Sequence, residues 1–159
     1  MRRKELKTTK EQAMEILKAC SYGTLSVVLP DGSPYGVPVN YCISEAENAL
    51  FFHCAEAGEK IDAIRHCPKV SVSAVAEYTV VPENLTTLYR SAVVKGTATV
   101  IEDTGERARR LQELCRAYSG SVLTESEIES EALKGAPHTA VVRIDIISVT
   151  GKCKPPRKD

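Results

Sequence analysis

Apolar and polar residues alternate with a period of two along much of the chain, which is the pattern of half-buried β-strands. Six strands are predicted, over residues 24–29, 34–43, 49–53, 70–81, 87–101 and 140–149. Asp31 and Gly32 form a dipeptide that is typical of a hairpin turn between the first two strands. Because short polar turns separate the first three strands, we expect these strands to pair as an antiparallel meander.

Two positions within these strands predict local irregularities. Pro38 has no N–H to donate to a sheet ladder, so its strand should lie at a sheet edge or carry a bulge at residues 36–38. Gly96 lies inside the longest strand-like run and predicts a second bulge. Irregularities of this kind often redirect side chains beside a functional site.

Helical periodicity appears between and around the strands. It follows residues 10–19, a short segment that ends at Cys67-Pro68, residues 103–120 and a short acidic segment after residue 124. Thr8 or Thr9 fits the N-cap of the first helix, and Leu111, Leu114 and Tyr118 belong to an apolar stripe on the third. The fold class predicted is therefore α+β, an antiparallel sheet that curls into a small barrel with peripheral helices.

The stretch from residue 49 to residue 73 holds the candidate chemistry. A buried strand ends at His53, a polar turn containing Gly58 follows, and Lys60 stands in the first turn of the short helix. Free N–H groups at a helix start, together with the charge of a lysine, can bind an anionic group. Taken singly, a lysine such as Lys60 is more often a solvated surface residue than an anion ligand, and a histidine at a strand end such as His53 is usually a packed or surface residue.

Composition narrows the class of protein. A length of 159 residues suits a single domain, 1–159, with residues 1–7 and 152–159 as the candidates for flexible ends. Lysine plus arginine and aspartate plus glutamate number 21 each, so no net charge attracts nucleic acid or an anionic membrane surface. The N-terminal segment is charged and no apolar run is long enough to span a bilayer, which predicts a cytoplasmic protein.

Six cysteines are scattered along the chain without any Cys-x-x-Cys pair. The sequence therefore predicts neither a zinc site nor thioredoxin-type chemistry, and we expect no metal site. Most of these cysteines are expected to be reduced thiols that pack as small apolar groups.

Several segments together carry a family resemblance. They are YGTLSVV (22–28), DGSPYGVPVNY (31–41), LFFHCAEAGEKIDAIR (50–65), CPKVSVS (67–73), YRSAVVKGTATVIED (89–103) and VTGK (149–152). In this order they resemble the pyridoxamine 5′-phosphate oxidase-like FMN-binding split barrels, and most closely the nitroimidazole-resistance (Nim) branch. The resemblance covers nearly the whole chain and implies a six-stranded split β-barrel that forms a homodimer.

In that family FMN lies in a groove at the dimer interface, so the resemblance implies a set of cofactor-binding residues. They are Pro38-Val39-Asn40-Tyr41 along the flavin ring, His53-Cys54-Ala55 at the strand end beside it, Lys60-Ile61 at the phosphate and Tyr89-Arg90-Ser91 on the strand that completes the site. The arginine- and lysine-rich strands of true pyridoxamine phosphate oxidases are missing here, which argues against oxidation of vitamin B6.

The activity that the resemblance implies is that of an FMN-dependent reductase. Such an enzyme passes electrons from a reduced nicotinamide or another donor to a small electrophile such as a nitroaromatic. His53 is the candidate catalytic residue, because an imidazole can donate or accept a proton near neutral pH. Two alternatives stay open: a non-catalytic protein of the same fold that binds FMN, haem or F420, and a cofactor-free dimerisation module. No Gly-rich nicotinamide motif is present, so the electron donor is not identified.

Overall fold

The structure is a computed structural model that describes residues 3–155. The strands of this range are β1 Tyr22–Val28, β2 Pro34–Asn40, β3 Cys42–Ser44, β4 Ala49–Cys54, β5 Lys69–Val81, β6 Thr86–Val100 and β7 Ala140–Lys154. The α-helices are α1 Lys10–Lys18, α2 Glu59–His66, α3 Thr104–Ser119 and α4 Glu125–Gly135. Short 3-10 helices lie at Lys4–Leu6, Pro82–Asn84 and Ala136–His138.

Over residues 3–155, seven strands form one antiparallel sheet in the order β2-β1-β5-β6-β7-β4-β3. The prediction of six strands is therefore wrong. The predicted strand 34–43 is divided at Tyr41, because β2 pairs with β1 up to Asn40 whereas β3 pairs with β4 from Cys42 onward. Side-chain alternation continues through Tyr41, so the hydropathy pattern shows one strand where the hydrogen-bonding partner changes.

The position of β2 and β3 shows how the sheet closes. They are the two edges of the sheet, yet only Tyr41 separates them in the chain, so the sheet must curl until its edges come together. β1 pairs with β2 and β3 pairs with β4, both antiparallel, so the consecutive pairings of the predicted meander are confirmed, although its second strand is divided between the two pairs. Alternation identifies a strand but carries no information about its neighbour. The α+β class and the curled antiparallel sheet are confirmed.

The main core lies inside the curled sheet. Leu25, Phe52, Val72, Val94 and Ile144 are each 0% exposed there, and full burial of a side chain of this kind contributes roughly 1.5–3 kcal/mol. The apolar faces of α1 and α2 join this core, α1 against β5, β6 and β7 and α2 against β1 and β6. α3 instead packs on the outside, over β3, β4 and β7, and forms a second, smaller core with α4.

Several local predictions are confirmed. Thr9, one of the two candidate N-caps, caps α1 in a capping box, and the acidic helix begins after residue 124, where Thr124 forms a second capping box. Gly96 lies at the break in register between β6 and β7, where a Cβ atom would overlap the carbonyl oxygen of Asp145. Pro38 lies in an edge strand, as its missing N–H requires, and the pairing of β2 with β1 is regular, so no bulge forms at residues 36–38.

Both chain ends form backbone pairings where the structure describes them. β7 extends to Lys154, and Lys7 forms an isolated bridge with Lys152. The predictions for residues 1, 2 and 156–159 lie outside the described residues.

Three further observations concern the described residues as a whole. All six cysteines are free and half-buried. Between residues 3 and 155, no group of three or more His, Cys, Asp or Glu side chains is placed to hold a metal ion. The same part of the chain contains no helix that is both long and apolar enough to cross a membrane.

Candidate functional site

The end of β4 and the start of α2 meet at one end of the barrel. Along β4, Leu50 and Phe52 point into the core, so Phe51 and His53 point outward. α3 covers Phe51, whereas the side chain of His53 lies beyond that cover and reaches the surface. The alternation of β4 therefore delivers one titratable side chain to the surface at the point where the strand ends.

α2 begins without a side-chain cap. Thr9, Asp103 and Thr124 cap the other three α-helices of residues 3–155, whereas the N-cap of α2 is Gly58, whose φ of 126° favours glycine. A Cβ atom on Gly58 would meet no other atom within 4 Å, so the space beside the first turn is open. Its uncapped N–H groups and the partial positive charge of the helix start can therefore bind an anion.

Lys60 supplies a full positive charge to the same place. Its side chain is half-buried, and the Nζ atom lies 6.0 Å from the centre of the Phe52 ring. Burial lowers the pKa of His53, and the charge of Lys60 lowers it further. Burial raises the pKa of the Cys54 thiol, and Lys60 opposes part of that rise. Lys60 is thus close enough to influence both groups, and His53 is mainly neutral at pH 7.

Asn40 and His53 meet where the barrel closes. Cys42 pairs with Phe51, and the same register continued by two residues sets Asn40 opposite His53. Both side chains line one cavity of about 390 Å³. The amide of Asn40 also donates a 2.8 Å hydrogen bond to the carbonyl of Ser21, which holds its side chain in place.

The other wall of this cavity comes from α3, and sequence reasoning missed it. The α3 residues of this wall are Leu111, Leu114, Cys115, Tyr118 and Ser119. The sequence predicts the helix and its apolar stripe. It carries no local signal for the strand that the stripe covers, because that strand is about 60 residues away in the chain.

Tyr118 fastens the end of α3 to the junction between β2 and β3. Its hydroxyl accepts a 2.9 Å hydrogen bond from the N–H of Tyr41 and can donate to the carbonyl of Ser21, at 2.8 Å, or to that of Tyr41. Val39 and Tyr41 are 7% and 4% exposed, so their side chains belong to the core. These two predicted flavin-binding residues can offer a ligand only backbone groups, and Tyr118 already uses those of Tyr41.

A buried arginine holds the middle of α3 against β4. The side chain of Arg110 is 1% exposed, and its guanidinium carbon lies 4.0 Å from the centre of the Phe51 ring. It donates hydrogen bonds of 2.6, 2.8 and 2.9 Å to the carboxylates of Glu47, Glu106 and Glu113. Hydrogen bonds from Arg110 lower the pKa of Glu47. A charge-assisted cluster of this kind fixes the position of the helix and hence of the cavity wall.

The remaining predicted residues near Lys60 differ in what they can offer. Ile61 is 1% exposed and packs in the core, and its N–H donates a 2.9 Å hydrogen bond to the carbonyl of Gly58. Cys54 is half-buried, whereas Pro38 and Ala55 are exposed. We use the term α2 corner for the surface residues at this end of the barrel, which are Pro38, Asn40, His53, Ala55 and Lys60.

Tyr89, Arg90 and Ser91 do not lie at the α2 corner of the same chain. Tyr89 pairs with Lys154 on β7, whereas Val100, at the other end of β6, pairs with the segment of β7 that adjoins β4. At about 3.3 Å per residue, Tyr89 and Val100 are about 35 Å apart along β6. Tyr89 and Arg90 line a separate cavity of about 320 Å³. The predicted site residues of one chain therefore lie at two different ends of the barrel.

Several solved protein structures have the same fold as this chain. A protein assigned to 5-nitroimidazole antibiotic resistance from Bacteroides thetaiotaomicron is 20% identical, with 91% of this chain and 83% of that chain covered and a TM-score of 0.72. The flavocytochrome Anf3 from Azotobacter vinelandii is 22% identical, with coverages of 100% and 75% and a TM-score of 0.74. An FAD-binding protein from Mesorhizobium loti is 22% identical, with coverages of 94% and 97% and a TM-score of 0.64.

Sequence comparison identifies the family. No curated protein sequence shows significant similarity to this chain. The family model for pyridoxamine 5′-phosphate oxidase, in contrast, matches residues 9–153, from the N-cap of α1 almost to the end of β7. Because this match covers nearly the whole chain, the chain belongs to the pyridoxamine 5′-phosphate oxidase family.

Proposed function

We propose that this protein binds FMN and acts as a reductase, which passes electrons from a reduced nicotinamide or another donor to a small electrophile such as a nitroaromatic. The observation that carries the proposal is the α2 corner, where the uncapped start of α2, Lys60 and His53 come together in a chain of this family. An anion site suits the phosphate of a redox cofactor, and a ligand-accessible imidazole beside it can take part in proton transfer.

The α2 corner fits the phosphate group of FMN. No side chain of the described residues caps the first turn of α2, and open space adjoins Gly58. The N–H groups of Ile61 and Asp62 bond to the carbonyl of Gly58, which leaves those of Glu59 and Lys60 for phosphate oxygens. Lys60 stands in the same turn and would add one charge-assisted contact, worth about 1.5–3 kcal/mol.

The line where the barrel closes fits the flavin ring. Pro38, Asn40 and Ala55 are exposed along it, and β2 pairs with β1 on one side only. Backbone groups on the other side of an edge strand are available to hydrogen-bond the nitrogen and oxygen atoms of a planar ring. These residues would hold the ring, whereas the side chains of Val39, Tyr41 and Ile61 support it from within the core.

The proposed reaction is a two-electron reduction. When bound, FMN would supply two-electron transfer, so that the hydride of a reduced nicotinamide and one further proton reduce a nitro group to a nitroso group with release of water. His53 is the residue that can deliver or relay this proton, because its side chain lines the cavity beside the α2 corner. Asn40 would orient the acceptor through its amide.

The same proposal includes a homodimer with FMN at the subunit interface. The outward face of β1, β5 and β6 carries small side chains in register, with Thr24 beside Ser73, Ser26 beside Ser71, and Ser73 beside Val93. α3 lies elsewhere, over β3, β4 and β7, and α4 packs on α3. A sheet face of small residues lets a second sheet approach closely.

A two-fold axis would also account for the divided set of site residues. If the axis crosses β6 near its middle, it exchanges the two ends of β6 between subunits. Tyr89, Arg90 and Ser91 of one subunit would then reach the α2 corner of the other, about 35 Å from their own. The site would be complete only in the dimer.

The absorbance spectrum of the purified protein tests the proposal. We expect the bands of an oxidised flavin, and FMN as the cofactor released on denaturation. Under anaerobic conditions a reduced nicotinamide should bleach these bands, and a nitroaromatic should restore them. A protein that keeps FMN but transfers no electrons to any acceptor would be a non-catalytic flavin-binding protein. A colourless protein that does not take up added FMN would rule out both.

A further inference from the structure

The cavity between α3 and His53 differs in character from the α2 corner beside it. Leu111 and Leu114 are 6% and 2% exposed and form part of its wall, together with the half-buried Cys115. Asn40 and His53 supply polar groups. Among the described residues that line this cavity, none carries a full charge at neutral pH, since Lys60 is not part of the lining.

We propose that this cavity is the subsite for the electron acceptor and that it takes an uncharged, planar aromatic molecule with a hydrogen-bond-accepting group at one edge. This inference rests on the function proposed above. It adds a location for the acceptor, and a preference for neutral over anionic compounds.

The size of the cavity suits such a molecule. Ligand pockets in proteins typically enclose about 300–1,000 Å³, and an apolar cavity of about 150 Å³ already holds benzene. A volume of about 390 Å³ therefore accommodates a substituted aromatic ring. The walls are held in place, because Arg110 fastens the middle of α3 and Tyr118 fastens its end.

The polar groups of the cavity favour an acceptor group on the ligand. The Asn40 amide has two N–H donors, of which Ser21 uses one. A neutral imidazole has one N–H donor, so His53 can supply a second hydrogen bond. Two donors side by side match the two oxygen atoms of a nitro group, or the carbonyl oxygen of a quinone.

The absence of charge among the lining residues selects against anionic compounds. A carboxylate placed among Leu111, Leu114 and Cys115 would lose its hydration without gaining a cation. Lys60 cannot compensate, because the FMN phosphate would already use its charge. We therefore expect nitrobenzene to bind at least about tenfold more tightly than 4-nitrobenzoate, which has the same nitro group and one negative charge.

Cys115 allows occupancy to be measured without turnover. In the FMN-loaded protein, saturating nitrobenzene should slow alkylation of Cys115 by iodoacetamide about tenfold, as measured by mass spectrometry. 4-Nitrobenzoate at the same concentration should leave that rate unchanged. Cys67, which is half-buried at the C-terminal end of α2 and does not line this cavity, should react at the same rate throughout. Equal protection by both probes, or no protection by either, would overturn the proposal.

A variant in which a larger side chain fills the cavity provides the second test. Cys115→Phe should abolish the nitrobenzene signal in ligand-observed NMR while FMN affinity, measured by fluorescence titration, changes less than about twofold. Cys67→Phe should change neither, and Ser119→Phe replaces Cys115→Phe if that variant fails to fold. Retained nitrobenzene binding in the filled variant would exclude this cavity as the acceptor subsite. If the filled variant loses FMN binding as well as nitrobenzene binding, or if FMN alone protects Cys115 from alkylation, the cavity belongs to the cofactor. Either outcome would overturn the acceptor subsite and leave the proposed function intact.

Discussion

The hydroxyl oxygen of Tyr118 lies 2.9 Å from the backbone nitrogen of Tyr41 and accepts its hydrogen bond, so one side chain joins the end of α3 to the residue at which β2 gives way to β3. Because β2 and β3 are the two edges of the sheet, this contact lies where the barrel closes. The same tyrosine lines the cavity that His53 faces. Closure of the barrel and the shape of the candidate site therefore depend on one contact.

Loss of the Tyr118 hydroxyl should weaken this closure. Tyr118→Phe keeps the ring but leaves the N–H of Tyr41 without its acceptor, so we expect the free energy of unfolding to fall by about 1–2 kcal/mol. Urea denaturation followed by circular dichroism measures the change. Tyr78→Phe, at a residue that is 73% exposed, should alter it by less than about 0.5 kcal/mol. Equal effects of the two substitutions would show that the contact does not stabilise the fold.

The charge of Lys60 should matter for FMN and not for riboflavin. Lys60→Ala removes a cation from the first turn of α2, so FMN affinity should fall by about tenfold to a hundredfold. Riboflavin lacks the phosphate, so its affinity should change little. Fluorescence titration of the apoprotein with both ligands measures the difference, and Lys134→Ala, on the exposed surface of α4, is the matched control. A similar loss for both ligands would place Lys60 away from the phosphate.

Proton transfer by His53 should give turnover a characteristic pH dependence. Burial and Lys60 lower the pKa of His53 below its ordinary value of about 6.5, so little of the protonated form is present at pH 7. If the protonated imidazole is the donor, turnover should rise as pH falls from 8 and level off below that lowered pKa. Steady-state rates of nitroaromatic reduction between pH 5 and pH 8.5 measure the profile.

Substitution of His53 should separate chemistry from cofactor binding. His53→Ala removes the titratable group but leaves the backbone, so FMN occupancy should persist while turnover falls by about 10²–10⁴-fold and loses its pH dependence. His138→Ala, at an exposed residue far along the chain, should change neither quantity. An unchanged rate and profile in His53→Ala would assign His53 a packing role.

The arginine cluster behind β4 should contribute stability that depends on pH. Hydrogen bonds from Arg110 lower the pKa of Glu47 in the folded protein, so the contribution is present above the unfolded value of about 4.3 and is lost as pH falls through the lower folded value. Glu47→Gln should cost about 1–3 kcal/mol at pH 7, because Glu106 and Glu113 still neutralise Arg110 in part.

Chemical denaturation at pH 7 and at pH 3 measures this difference. The gap between wild type and Glu47→Gln should narrow at the lower pH, where the wild-type carboxyl group becomes protonated. Glu131→Gln, which breaks an exposed pair with Lys134, should cost less than about 1 kcal/mol at either pH. A gap that stays constant with pH would mean that the charge of Glu47 does not contribute.

Completion of the site by the second subunit can be tested with mixed dimers. Lys60→Ala and Arg90→Ala should each weaken FMN binding, since the two residues would serve one site from different subunits. When the two variants are unfolded together and refolded, a mixed dimer has one site with both residues intact. Tight FMN binding should then return to about a quarter of all sites. No recovery, with each variant refolding normally on its own, would show that Arg90 acts within its own chain or not at all.

What the sequence by itself determined is local. Alternation located nearly all the strand residues, and the residues around Thr9, Thr124 and Gly58 indicated where helices begin, because period and capping depend on backbone geometry within a few residues. The residues from His53 to Lys60 could be recognised for the same reason, since the strand end, the turn and the helix start are adjacent in the chain.

Tertiary structure decided everything that joins distant segments. The change of pairing at Tyr41, the position of α3 against His53 and the distance of Tyr89 from the α2 corner have no local signal. Strand alternation is the same whichever neighbour a strand has, and an apolar helix stripe can pack on any apolar strand. Contacts such as those of Arg110 with Glu47 select one arrangement, because only that arrangement leaves no buried charge unpaired.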